Sequence, residues 1–169
     1  NICKENDVTL FMALLTAFGI LTNLYSGDED ICIGSPTANR TKSSFEKIIG
    51  FFVNTIIFRL KFDRNKSFFE ILNDNRKTIL NSLEYQGLSF EELVDHLQPE
   101  RVINKNPLFQ IMFAWQNAPR PPLSFEGMEA ERIMLKEGTS PLDLTFYMWE
   151  ADNTIEGEIE FNSDIINRE

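Results

Sequence analysis

Residues 51–62 carry Phe, Val, Ile or Leu at eight of twelve positions, with only Asn54, Thr55, Arg59 and Lys61 between them. A stretch so rich in aromatic and β-branched side chains suits a pleated, buried surface and predicts a strand over 51–62. Such a strand needs apolar cover, and the chain supplies it just upstream. Val8, Phe11, Leu14, Leu15, Phe18, Leu21 and Leu24 recur at steps of three and four, the spacing of one buried helix face. Gly27 ends that helix, and Asp28, Glu29 and Asp30 form a charged turn. Ile31-Cys32-Ile33 then reads as a short buried strand running into a turn at Gly34-Ser35-Pro36, followed by a polar loop over 39–47.

Two helices are expected next, over 67–83 and 89–97. The second opens on Ser89-Phe90-Glu91-Glu92, a capping-box pattern, and Pro99 stops it. Residues 109–115 read as another buried strand, ended by the extended Pro119-Arg120-Pro121-Pro122. Strands are expected over 128–135, 142–150 and 154–161. In the last, Ile155, Ile159 and Phe161 share one face and Glu156, Glu158 and Glu160 the other. Long strands mixed with helices and closed by an antiparallel meander predict an α/β fold with a mixed sheet and flanking helices. No repeat or linker divides the chain.

Charge excludes several function classes. Residues 1–120 hold 13 basic and 14 acidic side chains, while 121–169 hold 3 and 12. A nucleic-acid binder needs a basic stripe, and an anionic membrane surface attracts the same charge; neither partner is expected. The longest nearly apolar run, 10–21, has 12 residues, short of the roughly 20 that span a bilayer. No charged-then-apolar leader opens the sequence. With two cysteines, Cys3 and Cys32, and no Cys-x-x-Cys, neither a disulfide scaffold nor a Cys/His metal site is expected. A reducing, cytoplasmic setting follows.

Catalytic signatures are missing as well. There is no phosphate-binding glycine loop, no dinucleotide fingerprint and no nucleophile elbow. A triad would have to use His96, the sole histidine, which falls beside Glu92 on the polar side of its helix and reads as a surface residue. Glu156, Glu158 and Glu160, about 7 Å apart along one strand face, read as a solvated edge rather than as ligands or paired acids.

Ordered motifs add a resemblance. Ile33-Gly34-Ser35-Pro36-Thr37-Ala38-Asn39-Arg40 resembles the Ile-Gly-x-Pro-x-Ala-Asn-Arg motif of condensation domains of nonribosomal peptide synthetases, and Ile49-Gly50-Phe51-Phe52-Val53-Asn54-Thr55 follows it in family order. Phe90-Glu91-Glu92-Leu93-Val94-Asp95, Leu97-Gln98-Pro99-Glu100-Arg101 and Asn106-Pro107-Leu108-Phe109-Gln110-Ile111-Met112-Phe113 are similar to the later motifs, so the resemblance covers nearly the whole chain. It departs from the family at Tyr85-Gln86-Gly87, where His-Gln-Asp is usual. It departs again over 101–107, where Arg-Asp-x-Ser-Arg-Asn-Pro is usual. The catalytic His-His-x-x-x-Asp-Gly is absent and belongs to the half of the family's domain preceding these motifs.

The resemblance implies the C-terminal lobe, partial, over 1–169, of a chloramphenicol-acetyltransferase-like fold whose active site lies between two lobes. The implied reaction joins carrier-bound acyl or peptidyl and aminoacyl thioesters as an amide, with the isolated lobe inactive. Implied partners are the N-terminal lobe and donor and acceptor carrier domains bearing phosphopantetheine; no cofactor is bound directly. Other outcomes are an epimerisation, cyclisation or coenzyme-A-dependent acyltransferase lobe, or a non-catalytic scaffold that binds carrier proteins. Under the resemblance no residue here is catalytic and none holds a metal. Ser35 either hydrogen-bonds the acceptor amine or caps its turn. Asn54 either faces the tunnel or bonds a neighbouring loop. Arg40 is assigned a structural ion pair, Asn106-Pro107 a structural turn, and 119–122 the segment reaching toward the other lobe.

Overall fold

The computed structural model describes residues 2–117, 127–128, 138–151 and 154–167. A short helix α1 (Ile2–Glu5) precedes α2 (Leu10–Ser26). Thr9 caps α2, its hydroxyl accepting from the Met12 N–H, and Gly27 closes it in the left-handed region at φ +82°. Strand β1 (Asp30–Thr37) leads through a loop with one 3₁₀ turn (Ser43–Phe45) into β2 (Asn54–Lys61). Helices α3 (Phe68–Glu84) and α4 (Phe90–Leu97) connect β2 to β3 (Ile111–Trp115), and β4 (Leu144–Ala151) pairs with β5 (Thr154–Phe161).

The sheet order is β2-β1-β3-β4-β5. The inner strands β1, β3 and β4 run parallel, and β2 and β5 pair antiparallel at the two edges. This is the expected mixed sheet. Helix α3 packs on β2, while α2 reaches both β1 and β3. Fully buried Phe113 centres the core. Its ring meets Phe11 and Phe18 of α2 at 5.9 and 5.6 Å, and Phe146 of β4 at 6.3 Å.

Two expectations need correction. Gly34-Ser35-Pro36 is not a turn but the second half of β1, because Ile56 and Ile57 of β2 continue the antiparallel ladder alongside it. The ladder to β3, at Ile33–Ile111 and Gly34–Met112, does stop there, since Pro36 has no N–H to extend it. Conversely, 51–53 lie before β2, which begins only at Asn54 opposite the last residue of β1, Thr37. The expected strand over 128–135 and the stretch 119–122 lie outside the described residues, apart from Met128.

Both long connecting helices start in capping boxes, Ser67 with Glu70 and Ser89 with Glu92. The Ser67 hydroxyl and N–H hold the Glu70 carboxyl below its ordinary range, and the Ser89 N–H and hydroxyl do the same for Glu92. Arg59, donating twice to Asp30 at 2.8 Å, lowers that carboxyl, and Lys66 lowers Asp74. A carboxyl depressed in the folded state stabilises above its unfolded pKa, near 4, and loses that contribution as pH falls through the folded value. Urea midpoints should therefore drop between about pH 5 and about pH 2. The Glu70→Gln/Glu92→Gln variant should show a shallower drop. Because these groups are exposed, the effect is a graded weakening rather than collapse.

Candidate functional site

Three of the motif segments meet at one end of the sheet, where β1 ends and β2 begins. The carboxyl ends of strands are where open α/β sheets present their binding groups. Side chains alternate along β1, so Ser35 shares a face with Ile31, Ile33 and Thr37, opposite Ile56. Ser35 is 4 % exposed, and its hydroxyl makes no hydrogen bond among the described residues. A hydroxyl so placed retains full capacity to donate and accept.

Asn54 stands opposite Thr37 in the ladder and is fully committed to the chain itself. Its Nδ2 donates to the carbonyls of Gln86 (2.9 Å) and Leu88 (2.7 Å), and its Oδ1 accepts from the N–H groups of Phe90 (3.1 Å) and Thr55 (2.9 Å). Both donors and both acceptor positions are taken. Of the two roles read from the sequence, this geometry is the bond to a neighbouring segment: Asn54 pins the α3–α4 turn against the sheet. The Thr37 hydroxyl adds a bond to Gln86 Oε1 at 3.3 Å. Sequence reasoning missed the Thr37–Gln86 pair because it placed a turn at 34–36. Extending the strand alternation two residues past Ser35 brings Thr37 onto the same face.

Arg40 secures the loop between β1 and β2. Its guanidinium lies 4.3 Å from the Phe52 ring centroid, and Nη1 donates to the carbonyls of Phe45 and, at 3.0 Å, Ile48. Among the described residues it meets carbonyls and a ring rather than a carboxylate. Asn39, just before it, holds a left-handed φ of +48°, a conformation asparagine tolerates. Asn106 Oδ1 accepts from the N–H groups of Leu108 (3.0 Å) and Phe109 (3.2 Å), while its carbonyl accepts from Gln110 Nε2 (2.7 Å). This turn aims Phe109 at the face of Gly34, where a Cβ would fall 2.5 Å from the ring. Pro107 helps line a cavity of about 360 Å³ between α4 and the 101–107 loop, with Phe90, Val94, Arg101 and Lys105. Of the Tyr85-Gln86-Gly87 segment, the departing Tyr85 points outward, 74 % exposed, while Gln86, which the family shares, is held by Asn54 and Thr37.

His96 is exposed on α4. Glu156 and Glu160 accept from the aromatic donors across the ladder, Trp149 Nε1 at 3.2 Å and Tyr147 Oη at 3.3 Å. No cluster among the described residues has three or more metal-ligating side chains, and no helix among them is long and apolar enough to cross a membrane. Cys3 and Cys32 are both free, and burial pushes the Cys32 thiol up, away from nucleophilic use at neutral pH.

The fold is shared with known proteins. Over 97 % of its length the chain superposes on a four-domain nonribosomal peptide synthetase with a TM-score of 0.85 at 24 % identity, covering 14 % of that chain. The first condensation domain of the CDA synthetase matches with a TM-score of 0.74 at 14 % identity, over 98 % of this chain and 36 % of that one. By sequence, the chain is 37 % identical over 169 residues to bacitracin synthase 3 of Bacillus licheniformis, and 36 % identical over 168 residues to malpinin synthetase of Mortierella alpina. These matches take in 100 and 99 % of this chain, which spans only 3 and 2 % of those relatives. The family model described as "Condensation domain" matches residues 1–169, and the chain belongs to that family.

Proposed function

We propose that this chain is the C-terminal lobe of a condensation domain that forms an amide bond between two carrier-bound substrates in nonribosomal peptide synthesis. The observation that carries this reading is the family match over the whole chain, 1–169. In the reaction the amine of an aminoacyl thioester attacks the carbonyl of an acyl or peptidyl thioester. The N–C bond forms, the C–S bond breaks, and the thiol leaves with the proton the amine gives up. Phosphopantetheine is the tether on the partner carrier domains rather than a group resident in this chain. A free α-amine titrates near pH 8, so a neutral nucleophile is accessible and holding the two reactants in place supplies much of the rate.

Within that reading Ser35 is the side chain of this lobe offered to the acceptor amine, its hydroxyl near the end of β1 without a hydrogen bond among the described residues. Asn54 is a positioning residue that fixes the wall beside it. A reducing, cytoplasmic setting is part of this reading and goes with the two free cysteines, Cys3 and Cys32. A second, non-catalytic reading has one specific support, the resemblance to the X-domain of teicoplanin biosynthesis (TM-score 0.77, 19 % identity), a protein also seen in complex with OxyB.

Amide formation between loaded carrier domains separates the two. The isolated chain should give no turnover, since its one histidine is the exposed His96. Within a complete condensation domain, Ser35→Ala should lower kcat/KM about tenfold, the scale of one lost hydrogen bond to the reacting group, with unchanged melting. Unaltered kcat/KM would remove Ser35 from the site, and carrier binding without turnover by the complete domain would favour the scaffold.

A further inference from the structure

Gln86 is held on three sides and left free on the fourth. Its N–H donates to the Leu83 carbonyl (3.3 Å), its carbonyl accepts from Asn54 Nδ2 (2.9 Å), and its Oε1 accepts from the Thr37 hydroxyl (3.3 Å). The Thr37 oxygen accepts in turn from the Asn39 N–H at 3.4 Å, which leaves its own proton for Gln86. The amide is thereby oriented: Oε1 faces Thr37, and Nε2 carries two N–H groups that make no hydrogen bond among the described residues. A half-buried side chain fixed in this way is a preorganised donor rather than a loose one. It belongs to the Ser35 end of the sheet, because Thr37 stands two residues beyond Ser35 on the same face of β1. The turn is open there too, since a Cβ on Gly87 would meet nothing within 4 Å.

We infer that Gln86 is a second substrate contact of this lobe, its Nε2 donating to the carbonyl oxygen of the acceptor aminoacyl thioester while Ser35 takes the amine, with Thr37 as the positioning residue behind it. Spacing and polarity both fit. One face of a strand repeats about every 7 Å. An α-amine and its carbonyl oxygen are attached to adjacent carbons, and with a hydrogen bond of about 2.9 Å at each end they bridge that repeat. The carbonyl can only accept and Nε2 can only donate, whereas the Ser35 hydroxyl can do either for the amine. Two contacts stop the acceptor turning about its N–Cα and Cα–C bonds, so the amine lone pair stays aimed at the donor thioester. The inference rests on the condensation-domain reading, but its test reads binding, not amide formation.

The test compares two acceptor carrier domains on a complete condensation domain containing this chain. One bears an alanyl thioester on its phosphopantetheine, and the other bears the matching thioether, with CH2 in place of C=O. The ratio of their affinities isolates the carbonyl, because whatever the exchange does to the amine is common to every variant. Gln86→Met should shift that ratio about fivefold against the thioester, the scale of one neutral hydrogen bond. Gln86→Glu keeps an oxygen for the Thr37 hydroxyl but has no N–H, and should shift it in the same direction. Thr37→Val should give part of the shift, and Thr37→Ser, which retains the hydroxyl, should give none. Ser35→Ala should weaken both carriers alike. Equal losses for the two carriers in Gln86→Met and Gln86→Glu would leave Gln86 a structural residue and overturn the inference. A complete domain that binds neither carrier overturns it together with the proposed activity. A domain that shows the shift but forms no amide leaves the Gln86 contact standing and counts against the proposed activity alone.

Discussion

Asn54→Asp should destabilise this protein by about 3 kcal/mol, although the exchange changes only an amide for a carboxylate of the same shape. The amide donates to two carbonyls, those of Gln86 and Leu88, and accepts from the N–H groups of Phe90 and Thr55. Aspartate keeps the two acceptors and loses both donors. Two carbonyl oxygens then face a carboxylate, each bond removed costs about 1 kcal/mol, and each polar group left without a partner adds about 1–3 kcal/mol when buried. Asn54 is only half-buried, so the lower end of that range applies. Asn54→Ala should cost a similar amount by a different route, stranding the Phe90 N–H as well. Urea denaturation gives the size of the loss, and hydrogen exchange at the Phe90 amide gives its location. A neutral Asn54→Asp would mean that the amide does not hold the turn, and the role of facing substrate would then lead.

The clamp also marks how far sequence reasoning reached. The helices were legible because their information is local. Apolar steps of three and four and Gly27 marked α2, and the Ser89–Glu92 capping box and Pro99 bounded α4; the caps Thr9 and Ser67 with Glu70 came only from the structure. The mixed sheet was legible from the alternation of long strands with helices. Strand ends were not, because the limits of β1 and β2 are set by each other. Pairing of Thr37 with Asn54 carries β1 through Gly34-Ser35-Pro36 and leaves Phe51 and Val53 outside β2. Composition favours a strand at 51–53, but among the described residues no partner strand runs beside them.

The motifs were readable as motifs, yet their joint purpose needed three dimensions. Asn54 reaches 36 residues along the chain to Phe90. Arg40 was read as a structural ion-pair residue, and the structure adds that its Nη1 donates to the carbonyls of Phe45 and Ile48. The Ser35 hydroxyl, read as either a turn cap or a substrate contact, loses the first role because there is no turn to cap.

A single methyl group at Gly34 should cost about as much as the loss of the Asn54 clamp. A Cβ on Gly34 would lie 2.5, 2.6 and 2.7 Å from three carbons of the Phe109 ring, well inside contact distance. Neither side can yield easily. Gly34 is paired on both flanks, to Ile57 of β2 and Met112 of β3. Phe109 is 5 % exposed, with its backbone held by Asn106 and its ring edge-on to Phe90 at 5.8 Å. Overpacking of this kind costs about 1–3 kcal/mol, and a site pinned on both sides belongs at the upper end. Phe109→Leu alone should also destabilise, by leaving a void where the ring was. Combined with Gly34→Ala, however, it removes the atoms that clash. The double variant should therefore be more stable than the sum of the single losses predicts, with a coupling of about 1–2 kcal/mol. Urea midpoints for the four proteins measure that coupling, and strict additivity would mean that the ring does not press on the strand. Because Ser35 is the next residue along β1, any shift that relieves the Gly34 clash moves its hydroxyl too. In a complete condensation domain Gly34→Ala should then lower kcat more than its effect on folding explains, and Phe109→Leu should restore part of both.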